Sequence, residues 1–249
     1  MVKGAAIKFV SYQESVRNIL NILRIEHEIR KHDKIVLKPF LRDADSPFTK
    51  VEFVEEVLKF IMEKKNPVAE VFIAEGSDGE DTLYLFEEKG YSKLAEKYSI
   101  GLIDLNNTEL EDVYDEKFKK FEMIKYPSIL KNGFVISLPV LSKDNELEMV
   151  GGLSNMIGAF PSSEYRGFFS RKKSGIRKNH IRYSIHDIVK AKLPDFTIID
   201  ASEQGYVLAG LPLDMDKQAA KILGSEWKMV QHLRVIEDTF AEPKKYSIK

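Results

Sequence analysis

Short apolar runs alternate with amphipathic segments along most of the chain. Ala5 to Val10 reads as a first strand, and Lys34-Ile35-Val36-Leu37-Lys38 as a second, stopped by Pro39. Similar runs recur at Val71–Ala74, Gly101–Asp104, Phe134–Leu138 and Phe196–Asp200. Between them, apolar positions fall at helical spacing. Val16, Ile19, Leu20 and Leu23 do so within Ser15–Arg30; Phe53, Val54, Val57, Leu58, Ile61 and Met62 do so after Thr49; and Ile181, Ile185, Ile188 and Val189 form a later stripe. Buried strands separated by helices of this length predict βαβ units, and hence an α/β fold with a mainly parallel sheet and helices on both faces.

Boundary signals refine this outline. Thr49 with Glu52, and Ser77 with Glu80, read as capping boxes ahead of two helices. Gly90 breaks the second helix, and Ser92 to Tyr98 adds another turn or two. The stretch 106–132 interrupts the rhythm with dense charge and a small strand at Phe121 to Ile124. It reads as an excursion at the sheet edge inside a single domain spanning 1–242. Gly205, Gly210 and Pro212 mark a turn-rich connection to a last strand at Ala219 to Leu223. Trp227, Val230, Leu233, Ile236 and Phe240 line a closing helix, and 243–249 reads as a loose tail.

Composition narrows the chemistry. The chain has 249 residues and 43% hydrophobic content, enough for one sizeable core. Thirty-eight Lys and Arg balance 39 Asp and Glu, so any nucleic-acid-binding surface must be local. No cysteine is present, which excludes disulfides, thiolate metal sites, iron–sulfur ligation and a cysteine nucleophile. The histidines are scattered, with no H-x-x-x-H or H-E-x-x-H, so no metal and no cofactor is implied. No apolar run approaches the roughly 20 residues of a membrane span, and Met1 to Phe9 lacks a signal-peptide pattern; a cytoplasmic protein with no membrane partner is expected. Richness in Lys and Glu suits a thermophile.

Two stretches carry candidate chemistry. Gly151-Gly152-Leu153-Ser154-Asn155-Met156-Ile157-Gly158 pairs glycines with a helix-forming segment, which would aim backbone N–H groups at an anion. The alternative is a turn that merely lets helix and sheet approach closely. Behind it, Tyr165 to His186 contains no acidic residue but seven cations: Arg166, Arg171, Lys172, Lys173, Arg177, Lys178 and Arg182. Tyr165, Phe168, Phe169 and Tyr183 interleave aromatics that could stack on bases or belong to the core. In open parallel sheets ligands bind beyond the carboxyl ends of the strands, where Lys38, Glu75, the Ser142-Lys143-Asp144 group and Asp200 stand. No G-x-S-x-G elbow marks a serine nucleophile.

The order of these landmarks resembles the domain of unknown function 362 family, found widely in archaea and bacteria, over nearly the whole chain. The resemblance is carried by Lys38-Pro39, the Thr49-led helix, Glu75-Gly76, Leu138-Pro139-Val140-Leu141, the Gly151–Asn155 motif with Gly158, Arg166, His180 and a strand ending in Asp200. It implies no defined reaction. Many members carry a cysteine-rich ferredoxin module, which this chain lacks. Further departures are Phe40 in place of an asparagine, Ser142 and Asp144 in place of a lysine and a histidine, and Ser154 in place of a lysine. The family's paired aspartates are missing around Glu226 to His232.

Three functional expectations follow. The first is binding of a small anionic ligand, with or without catalysis. Lys38, Lys143, Gly151, Gly152, Asn155, Arg166 and His180 would bind it, and Glu75 or Asp200 would move protons. The second is a scaffold or regulator that kept the fold after losing the site. The third is nucleic-acid binding through Arg171, Lys172, Lys173, Arg177 and Lys178.

Overall fold

A computed structural model describes residues 4–240. The tail expected at 243–249 lies outside them, as do the ends of the 1–242 span. The chain opens with β1 (Ala5–Lys8), α1 (Tyr12–Leu23), α2 (Glu26–Ile29), β2 (Lys34–Pro39), α3 (Val51–Lys64) and β3 (Glu70–Glu75). It continues through α4 (Thr82–Glu88), α5 (Tyr91–Tyr98), β4 (Gly101–Asp104), β5 (Leu110–Val113), β6 (Ile124–Pro127), α6 (Ser128–Lys131) and β7 (Phe134–Leu138). The last third holds β8 (Ser142–Asp144), β9 (Glu148–Val150), α7 (Ser162–Tyr165), α8 (Ile181–Ala191), β10 (Phe196–Ala201), β11 (Tyr206–Gly210), α9 (Pro212–Ile222) and α10 (Gln231–Phe240).

The central sheet has seven strands in the order β1-β11-β10-β7-β2-β3-β4. From β10 to β4 the pairs are parallel, whereas β11 runs antiparallel to both β10 and β1. The fold is therefore α/β with a mainly parallel sheet. Both faces are covered: Ile35 and Leu37 of β2 join one core with α1 and α3, while Val36 joins the other with α8, α9 and α10. This double burial is why β2, β7 and β10 read as continuous apolar runs rather than alternating ones. Two small antiparallel pairs, β5–β6 and β8–β9, stand outside the main sheet.

Several local expectations need correction. The last strand is β11, a short run between Gly205 and Gly210, with Gly205 at φ +82 turning the hairpin back from β10. Ala219 to Leu223 is instead the end of α9 and its cap, in a helix begun by Pro212 in its first turn. Thr49 does not cap α3. Its hydroxyl donates to the Leu138 carbonyl (2.6 Å) and accepts from Phe40 N–H (2.9 Å), and Lys50 takes the cap position without a side-chain bond. Ser77 likewise bonds the Glu80 carbonyl, leaving Asp81 to cap α4 through Tyr84 N–H. The small strand expected at 121–124 begins only at Ile124.

Candidate functional site

Gly151 and Gly152 lead into a 3-10 turn, Ser154–Ala159, rather than an α-helix. Their exposed backbone does meet an anion, but it belongs to the same chain. Asp216 on α9 accepts from Gly152 N–H (2.6 Å) and Leu153 N–H (2.9 Å) and is fully buried. Gly151 N–H donates to Ser154 Oγ at 2.9 Å, so neither glycine offers a free donor. A Cβ on Gly151 would lie 2.6 Å from Asp216 Oδ1, and one on Gly152 would lie 2.6 Å from Thr197 Oγ1. Both glycines are therefore required by the packing of this internal carboxylate against the sheet. Burial pushes the Asp216 carboxyl up to about 7, opposed by the two backbone donors.

The third glycine of the motif guards a second internal carboxylate. Lys38, at the end of β2, and Glu75, at the end of β3, are buried together, with Lys38 Nζ donating to Glu75 Oε1 (2.9 Å) and Oε2 (3.0 Å). Lys38 Nζ also reaches Asn155 O (2.7 Å) and Oδ1 (3.1 Å). An ammonium has three protons, so these acceptors leave none for an external ligand. Glu75 further accepts from Leu41 N–H (3.1 Å) and Gly76 N–H (2.8 Å). Asn155 closes the arrangement by donating to Lys38 O and Ser137 Oγ, both at 2.9 Å. A methyl group at Gly158 would overlap Glu75 Oε1 and sit 2.7 Å from Lys38 Nζ. Burial pulls the Lys38 amine below its ordinary value, with Glu75 pulling the other way.

A second lysine enters the same region. Lys173 is fully buried, and its Nζ donates to the carbonyls of Gly76 (2.7 Å) and Gly158 (3.3 Å). Burial lowers this amine to about 7, against the attraction of Glu75 and Asp78. Its backbone N–H donates to Asp78 Oδ1 (2.6 Å), and Arg177 Nη2 bonds the other oxygen of Asp78 at 2.6 Å. Arg177 also pairs with Glu146 at 2.6 Å. The basic run is thus tied into the fold at two of its members.

The structure brings Lys38, Glu75 and Asn155 together and places the other expected site residues elsewhere. Asp200 is buried at the end of β10, three strands from β3. It accepts from the Tyr12 hydroxyl (2.9 Å) and Ser202 N–H (3.0 Å), and Tyr12 is pushed up to about 12, chiefly by burial. Lys143 is exposed on β8, beside a cavity of about 230 Å³ shared with Met149, Ala220 and Met229. His180 is exposed at the start of α8, facing a smaller cavity of about 140 Å³ with Arg182 and His232. As potential nucleic-acid contacts, Lys173 is sealed and Arg177 is neutralised, while Arg171, Lys172 and Lys178 remain on the surface.

An open cleft of about 380 Å³ lies beyond the carboxyl ends of β3 and β4. Thr82, Asn106, Ser162, Ser163, Arg166 and Arg171 line it. Among the described residues, neither arginine has a carboxylate within ion-pair distance. Three acids also line the cleft: Asp104 accepts from Asn106 N–H and the Asn107 side chain and Asp81 caps α4, neutral donors that leave both carboxylates charged. Among the described residues the Glu80 side chain makes no hydrogen bond or ion pair, so the cleft sets three carboxylates beside two guanidinium groups.

Sequence reasoning missed Asp216 and the burial of Lys173. The first had a signal: Asp216, Ala219 and Ala220 fall at i, i+3 and i+4, which sets a carboxylate on the small-residue stripe of a helix. The second had none, because a lysine among cations looks like a solvated one. No curated protein matches this sequence. A family model described as a domain of unknown function (DUF362) matches residues 35–215, a stretch that contains Lys38, Glu75, Asn155, Gly158 and Lys173. The chain belongs to the domain of unknown function 362 family.

Proposed function

We propose that the protein binds a small phosphate- or carboxylate-bearing ligand in the cleft beyond β3 and β4. The observation that carries this reading is a pair of guanidinium groups, Arg166 and Arg171, that line an open cleft at the sheet's carboxyl edge and, among the described residues, have no carboxylate within ion-pair distance. Thr82, Asn106 and the Ser162–Ser163 pair add hydroxyl and amide groups of the kind that orient an oxyanion. Lys38, Glu75 and the glycine motif then form the rigid wall behind the ligand and do not touch it. Glu75 and Asp200, each 2% exposed, are closed to direct proton transfer with a ligand in the cleft.

Thermal melts in phosphate and in chloride at equal ionic strength test the reading. Phosphate at about 100 times its Kd should add roughly 2.7 kcal/mol of stability, and Arg166→Ala/Arg171→Ala should abolish that gain. Equal phosphate stabilisation in wild type and the double variant would remove the cleft as the site. A specific observation favours a second reading, a scaffold without a ligand: Lys38, Gly152, Glu75 and Asp200 are all satisfied within the chain. Melts that show no difference between phosphate and chloride would favour it.

A further inference from the structure

Phe168 and Phe169 are 95% and 97% exposed, and their rings pack edge to face with centroids 4.8 Å apart. They stand in a short projecting loop, Arg166 to Lys172, held between two buried anchors. On one side, Tyr165 packs against Phe121 and Phe160, and its hydroxyl accepts from Lys125 N–H. On the other, Lys173 is fixed to Gly76, Gly158 and Asp78. The loop is closed on itself by Gly167 N–H to Lys172 O (3.3 Å) and Ser170 N–H to Gly167 O (3.2 Å). The fold therefore presents two adjacent aromatic side chains at a clamped tip, where they contribute nothing to its own core. Arg166, Arg171 and Lys172 stand in the same loop, all exposed.

We propose that this tip docks the protein onto an anionic lipid bilayer surface. The phenylalanines would enter the boundary between headgroups and acyl chains, and the three cations would lie at the phosphate level. Three features select this partner. Isologous contact between two copies of the chain would bring both sets of three cations together. A single-stranded nucleic acid needs a cationic track several nucleotides long, and here the track is broken at Lys173 and Arg177. What remains is a compact apolar point on a loop that carries three exposed cations, the complement of an anionic lipid surface. Among the described residues no helix is long and apolar enough to cross a membrane, so the contact would be peripheral. The proposal goes beyond the anion cleft and does not rest on it, although Arg166 and Arg171 border both.

Co-sedimentation of the full chain with vesicles tests it. Each cation near an anionic surface is worth about a five-fold gain in partitioning, so phosphatidylglycerol-containing vesicles should outbind pure phosphatidylcholine by about a hundred-fold at low salt. Phe168→Ser/Phe169→Ser should lower binding to the anionic vesicles by roughly ten-fold or more. The same variant should keep the wild-type melting temperature and any phosphate stabilisation, which separates this proposal from the cleft. Lys172→Glu should also weaken binding, with no dependence on aromatic packing. Wild type that binds both vesicle types equally poorly would overturn the proposal. So would binding that survives loss of both phenylalanines, or a single-stranded RNA oligomer that binds the tip when vesicles do not.

Discussion

Gly158→Ala should cost the fold about 3–5 kcal/mol, the loss expected when a buried ion pair is broken rather than replaced. The added methyl group would occupy the space of Glu75 Oε1, and Lys38 Nζ would be 2.7 Å away. Neither partner can swing aside, because Glu75 is held by Leu41 and Gly76 N–H groups and Lys38 by Asn155. Urea unfolding measures the cost. The same substitution in a Lys38→Ala/Glu75→Ala background should cost much less, since the side chains it collides with are no longer there. A loss below about 0.5 kcal/mol in the wild-type background, the usual scatter for inconsequential surface changes, would contradict this account.

The second large effect is at Asp216. Asp216→Ala leaves the Gly152 and Leu153 N–H groups buried without acceptors, which costs about 1–3 kcal/mol for each. The pH dependence carries a sign that distinguishes this carboxyl from most others. Its ordinary value of 3.8 rises to about 7 in the folded chain, so the folded state holds the proton more tightly than the unfolded one. The group's contribution to stability is therefore fully present below about pH 4 and is lost as pH rises through about 7. Across that window the unfolding free energy of wild type should fall relative to that of Asp216→Asn, with a slope difference approaching one proton. A difference between the two proteins that stays flat from about pH 4 to about pH 8 would refute the assignment.

The sheet was legible because β2, β7 and β10 are buried on both faces, which concentrates Val, Ile, Leu and Phe into short runs that a chain-order reading detects. Strand β11 escaped notice because Val207-Leu208-Ala209 is brief and flanked by glycines, and the stretch reads equally well as a turn. At the glycine motif the physics was legible and the partner was not. Paired glycines do expose N–H groups to negative charge, but Asp216 lies 64 residues further on, and nothing in local spacing pairs it with Gly152. The basic run misled for a related reason. Charge density along a chain does not report burial, and Lys173 is enclosed by carbonyls contributed by Gly76 and Gly158, which only the tertiary fold assembles. Glu75 and Lys38 were correctly placed at strand ends, yet the expected proton-transfer group and the expected ligand contact are buried and paired with each other.

The glycine motif and the Lys38–Glu75 pair hold the protein's own carboxylates, and the proposed external anion meets the cleft beside them. Amide NMR of the uniformly 15N-labelled protein during a phosphate titration tests this most directly. Chemical-shift changes are expected at Asn106, Ser162, Ser163, Arg166 and Arg171, with the Gly152 and Leu153 amides unmoved. Saturable shifts at Gly152 and Leu153, with phosphate displacing Asp216 from their N–H groups, would contradict it.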